Sequence, residues 1–214
     1  MSIRKFDRFS YKYLEGARLV GPEHYPMISS TQYVPDKVVS FSERNRIKNP
    51  QEYGLDHFIY DYLQEQVWNN CDRFLDIYRK FNCVITTDFS AYRDAPLWER
   101  KYNVGRNRTI AYYLQKNGVN IIPVASWAYL DDFDWCLDGL PRNASIAIST
   151  NGCMASFISH TALIDGIARL QELLAPSHLV ICGSFLSELS DKYDNVYYYQ
   201  NFSQRLQRRL KNGE

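Results

Sequence analysis

Two aspartates, Asp61 and Asp88, each fall at the end of a short apolar run, HFIYDY (57–62) and CVITTDF (83–89). Read as successive parallel strands, these runs place both carboxylates at strand carboxyl ends, where α/β proteins build their sites. Such a pair can do general acid/base work, with Asp88 as the acid/base and Asp61 as its partner, or it can hold a divalent metal ion. A carboxylate in that position also serves as a helix cap or an arginine's partner. Downstream, Asn103, Arg106 and Asn107 recur at helical spacing with Ile110 and Leu114, so they share the face expected to touch the sheet. Polar groups on a buried stripe are costly unless paired. Arg106 is therefore expected to pair with Asp88 or to bind a ligand carboxylate or phosphate, with Asn103 and Asn107 beside it. Arg108, two residues on, is expected to meet solvent.

Further candidates follow. VNIIPVASW (119–127) ends at Trp127, whose indole can wall a base, sugar or aromatic ligand, or plug the end of the core. ASIAIST (144–150) runs into Asn151-Gly152-Cys153. Ser149 and Asn151 would face a ligand there, and the turn's backbone N–H groups could cradle an anion. The lysine and spacing of a P-loop are missing, as is GxGxxG. Cys153 and His160 could form a nucleophile pair, but no nucleophile motif accompanies them. Arg205, Arg208 and Arg209 make the last helix basic, either as a solvated face or as a contact for nucleic-acid phosphates.

These groups need a scaffold, and the pattern supplies one. Strands are expected at 57–62, 83–89, 119–127, 144–150, 178–184 and 196–200. Helices are expected at 68–81, from Pro96 to Asn117 with Gly118 as its cap, at 131–138, at 161–174 and in the tail. The alternation predicts an α/β fold: a mainly parallel sheet of about six strands with flanking helices, as an open doubly wound sheet or a partial β/α barrel. Residues 1–52, with Pro22, Pro26, Pro35 and Pro50, read as an extended N-terminal arm that packs through Val38, Val39 and Phe41. Residues 53–214 read as the α/β domain with its basic C-terminal helix.

Composition narrows the function class. The 25 basic and 24 acidic residues nearly cancel, so no global field steers a polyanion. The five cysteines show no CxxC or CxxH spacing and the four histidines no metal spacing, which predicts a reduced protein without a zinc site. The first sixteen residues, MSIRKFDRFSYKYLEG, lack an apolar signal core, and no run approaches membrane-spanning length. The expectation is a cytoplasmic protein with no membrane partner.

The segments WNN (68–70), CVITTDFSAY, YNVGRNR (102–108), GVNIIPVASW, AISTNG (147–152) and ICG resemble an uncharacterised family, a domain of unknown function of the DUF4417 type. That family is carried by phages, plasmids and conjugative elements of Gram-positive bacteria. The resemblance covers roughly residues 55–185 and implies a mobile-element protein in a bacterial host; it implies no activity and no catalytic residue. Two functions stay open. One is an enzyme or ligand-binding protein with a polar site at the strand carboxyl ends, acting on nucleotides or nucleic acid. The other is a non-catalytic binder that sequesters a host protein or signalling molecule, or assists replication.

Overall fold

The computed structural model describes residues 9–212. Its centre is a run of seven parallel strands in chain order. β3 (Lys37–Ser40), β4 (Tyr53–His57), β5 (Cys83–Thr87) and β6 (Ile121–Ile122) pair in that order. β7 (Ser145–Ser149), β8 (His178–Cys182) and β9 (Val196–Tyr199) pair likewise. A parallel bridge between Val124 and Ala147 joins the two groups. Ahead of them, β1 (Leu19–Val20) and β2 (Tyr25–Pro26) form a small antiparallel pair.

The order never reverses, so the sheet curls as a partial β/α barrel and has no doubly wound switch point. Both faces are buried, and consecutive residues divide between them. Val38, Ile85, Ile122, Ala147 and Val180 pack together on the inside. Val39, Val84, Ile121, Ile146 and Leu179 face outward onto the helices. Tyr199 of β9 packs on the inner cluster, and its hydroxyl donates to the carbonyl of Pro35, just before β3, which ties the last strand to the first.

The helices are α1 (Asp61–Asn69), α2 (Leu75–Tyr78), α3 (Leu97–Lys116), α4 (Phe157–Leu174), α5 (Ser187–Ser190) and α6 (Phe202–Asn212). Pro96 precedes α3 and Gly118, at φ +76°, follows it, as the sequence predicts. Among the described residues no helix is long and apolar enough to cross a membrane.

Five expectations change, the first being the helix expected at 131–138, which is a 3-10 turn at Leu130–Asp134 followed by turns. The strand expected at 57–62 lies earlier, at Tyr53–His57, so Asp61 opens α1 and the carboxylate on that strand is Asp56. The chain turns there because the Phe58 N–H donates to Asp56 Oδ1 and the Ile59 N–H to the His57 carbonyl. The helix expected at 68–81 breaks into the end of α1, a 3-10 turn at Cys71–Phe74 and α2. At the break, the Cys71 N–H is taken by the Tyr13 hydroxyl. β6 shrinks to two residues plus the bridge, since Pro123 has no N–H for the ladder. Finally, residues 37–40 of the expected arm form β3, a seventh strand at the head of the run.

Candidate functional site

A crevice of about 240 Å³ opens where β5, β6 and β7 end, beside the first half of α4. Asp88, Trp127, Ser149 and Asn151 all line it, together with Ser90, Tyr92, Arg93, Ser126 and Cys153.

Asp88 follows β5 on a segment of irregular backbone whose polar groups need partners. Side chains from α1 and α3 supply them. Gln64, fully buried, accepts from the Asp88 N–H at 2.8 Å and donates to its carbonyl at 3.0 Å. Asn107 does the same for Phe89, at 2.8 and 3.1 Å. The Ser90 carbonyl accepts from Asn103, while the Ser90 N–H and hydroxyl both donate to Asp61, each at 3.1 Å. Three consecutive residues are thus clasped, which fixes the loop that carries Asp88.

The Asp88 carboxyl itself is left over. Its Oδ1 is buried and accepts no hydrogen bond. Burial, and then the nearby Asp61 carboxylate, push it up to about 7, with Arg108 opposing. Burial also raises Asp61, against its bonds from Ser90. Asp88 senses the Asp61 charge, but both Asp61 oxygens are spent on Ser90. Among the described residues no group of three or more His, Cys, Asp and Glu is placed to hold a metal ion.

The α3 residues expected to meet a ligand therefore mostly position the loop. Arg106 does not reach Asp88. It pairs with Glu65 at 2.5 Å, donates to Asn103 Oδ1 at 2.7 Å and stacks 3.6 Å from the Phe89 ring centroid. Arg108, expected in solvent, is 1 % exposed. It donates to the carbonyls of Val124, Cys136 and Asp138 at 2.6–3.0 Å, locking the segment that follows β6. α3 packs on β5 and β6 and also against residues 11–14 and β2, and Arg108 reaches residues 136 and 138, so a two-residue step from Arg106 still lands in protein.

Trp127 works as wall and plug together. Its Nε1 donates to the Ala162 carbonyl at 3.4 Å, and its ring lies so close to α4 that a Cβ on Gly166 would sit 2.2 Å from Nε1. A glycine is required there. Ser126 Oγ, beside it, is buried without a partner.

The turn after β7 is not an open anion cradle. The Asn151 N–H donates to Ser149 Oγ and the Cys153 N–H to the Thr150 carbonyl. Burial pushes the Cys153 thiol up, and His160 pairs with Glu188 instead. A Cys153–His160 nucleophile pair therefore does not form. In α6, Arg205 and Arg209 turn onto Glu43 and Asp56, leaving Arg208 exposed.

Sequence reasoning missed Gln64, Gly166, Asp56 and Glu43. Gln64 was legible in principle, at helical spacing from Asp61 and Trp68, once 61–69 is read as a helix.

Fold and site together define a curled parallel β/α protein with an acid-bearing crevice at its strand ends. The chain belongs to the family described as a domain of unknown function, DUF4417, whose model matches residues 17–200. It is 33 % identical over 160 residues to the Gene 1 protein of Mycobacterium phage D29, and 31 % identical over 160 residues to that of Mycobacterium phage L5. Each match takes in 74 % of this chain, and spans 59 % of the D29 protein and 70 % of the L5 protein. No solved structure matches the chain.

Proposed function

We propose that the crevice is an acid/base site acting on a small polar ring compound, of nucleobase, nucleoside or monosaccharide size, with Asp88 moving the proton. One observation carries this reading. Asp88 sits on a backbone clasped by side chains of α1 and α3, while burial pushes its own carboxyl up to about 7 with an oxygen unpartnered. A carboxyl poised near the working pH suits general acid/base catalysis.

Size and chemistry support the small ligand. At about 240 Å³ the crevice falls below the roughly 300–1,000 Å³ of drug-sized pockets. Tyr92 and Trp127 offer flat walls, and Ser126, Ser149 and Asn151 offer hydroxyl and amide groups. A nucleotide, or a nucleic-acid residue, would enter by its base or sugar. The N–H groups of Asn151 and Cys153 are already spent, and Arg93, the one cation among the lining residues, sits over the Tyr129 ring.

The test begins with ligand-observed NMR against nucleobases, nucleosides, their 5′-phosphates and sugars, then follows turnover of each hit. Asp88→Asn is expected to keep the fold and cut turnover by about 10²–10⁴. Equal turnover by wild type and variant would overturn the reading. A second reading, as a non-catalytic binder of a protein, is favoured by Phe157, Ile158 and Phe185, which are 84 %, 69 % and 62 % exposed in the loops and helix starts that follow β7 and β8. In that case Asp88→Asn leaves partner capture unchanged.

A further inference from the structure

We infer that α6 is a releasable latch on the wall of the Asp88 crevice, held by ion pairs in place of apolar packing. The inference rests on the reading of that crevice as the site. α6 buries little: residues 206–211 are exposed, Leu206 at 43 % and Leu210 at 71 %. Its hold on the body is polar. Arg205 Nη2 reaches Glu43 Oε2 at 3.3 Å and Asp56 Oδ2 at 3.5 Å, and Arg209 Nη1 reaches Glu43 Oε1 at 2.8 Å.

The carboxylates beneath are themselves buried, Glu43 at 5 % and Asp56 at 2 % exposure. While covered they need the guanidinium groups. Once α6 lifts, water can solvate them, so release leaves no charge stranded in an apolar interior. Arg209 is half-exposed and its pair is open to screening by salt. An element held in this way opens at a lower free energy than the packed core.

Release would be felt at the crevice through one contact. Asn201, which precedes α6, donates from Nδ2 to Asn151 Oδ1 at 2.7 Å. The same Asn201 caps α6, its Oδ1 accepting from the Gln204 N–H at 2.9 Å. Latch and wall therefore share a residue. The wall it holds is weakly fastened otherwise: residues 154–157 are exposed, including Met154 and Phe157, and among the described residues the N–H groups of Met154 and Ala155 donate to no backbone carbonyl.

Cys153 reports on the wall, since it lines the crevice and is the partly exposed member of the five free cysteines. The experiment is hydrogen exchange and iodoacetamide labelling of the full chain, read by mass spectrometry. In Arg205→Ala/Arg209→Ala, exchange at 201–212 and at 150–156, and labelling of Cys153, are each expected to rise roughly tenfold, with Cys71 and Cys136 still protected. Asn201→Asp keeps the cap acceptor but loses the donor to Asn151. It is expected to raise Cys153 labelling while α6 stays protected. Faster exchange in α6 with unchanged exchange at 150–156 and unchanged Cys153 labelling would overturn the latch. So would labelling of Cys153 that Asn201→Asp leaves at the wild-type rate. Neither readout needs a ligand, so the latch can fail while the acid/base reading stands, and the reverse.

Discussion

Asp56 lies on β4 and Asp88 just past the end of the neighbouring β5, and their surroundings have opposite logic. Asp56 is 2 % exposed, takes the Phe58 N–H on one oxygen and faces Arg205 with the other. Burial still holds it up at about 6, against the pull of Arg205. Asp88 has no such cation in contact; its Oδ1 is bare, and it rises to about 7. The protein spends Arg205 and Arg209 on the first site. On the second it spends Gln64, Asn103, Asn107 and Asp61 on the backbone around the carboxyl and on the Ser90 hydroxyl, and none on the carboxyl itself. A paired buried carboxylate is structural. A bare one on a rigid loop beside a crevice is held ready for something else.

Three experiments bear on that contrast. The largest effect is expected at Arg108, which underlies the Asp88 side. Arg108→Met strips three buried carbonyls of their donor, costing about 3 kcal/mol or more and lowering Tm by on the order of 10 °C. A loss below about 1 kcal/mol in chemical denaturation would mean that the crevice wall does not depend on it.

Next comes the direct comparison. Asp56→Asn weakens a buried ion pair and is expected to cost about 2 kcal/mol, since Arg205 keeps Glu43. Asp88→Asn gives up no hydrogen bond to Oδ1 and removes a carboxyl whose charged form burial penalises, so it is expected to be no less stable than wild type near pH 7. Equal losses in urea would erase the distinction between the two sites.

The smallest effect is in the pH dependence. With its native pKa raised from 3.8 to about 7, Asp88 contributes stability that is fully present below 3.8 and fades as pH rises through about 7. His57, lowered to about 4 by burial, contributes the opposite: stability present above 6.5 and lost as pH falls through about 4. Wild type should therefore lose on the order of 1–2 kcal/mol relative to Asp88→Asn between pH 5 and 8. Parallel stability curves would show that Asp88 is not perturbed.

Much of this was legible along the chain. Because both sheet faces are buried, runs such as SIAIS and HLVIC are apolar at consecutive central positions, and their alternation with helical stretches marks a parallel sheet. Pro96 and Gly118 bracket α3 for local steric reasons that need no tertiary context. Asp88, Trp127, Ser149 and Asn151 stand at strand ends in the sequence and line one crevice in the structure.

What the sequence determined by itself was the periodic part: the element types, the parallel sheet and which strand ends carry polar groups, because these follow from local sterics and from burial on a repeat of two or near four. The tertiary structure decided the pairings. Arg106 and Arg108 differ by two positions on one helix, yet one meets Glu65 and the other three carbonyls, because α3 is enclosed on more than one side. Asp56 meets an arginine 149 residues away only because the sheet curls until α6 returns to β3 and β4. Such partners come from chain closure, and no local pattern encodes them.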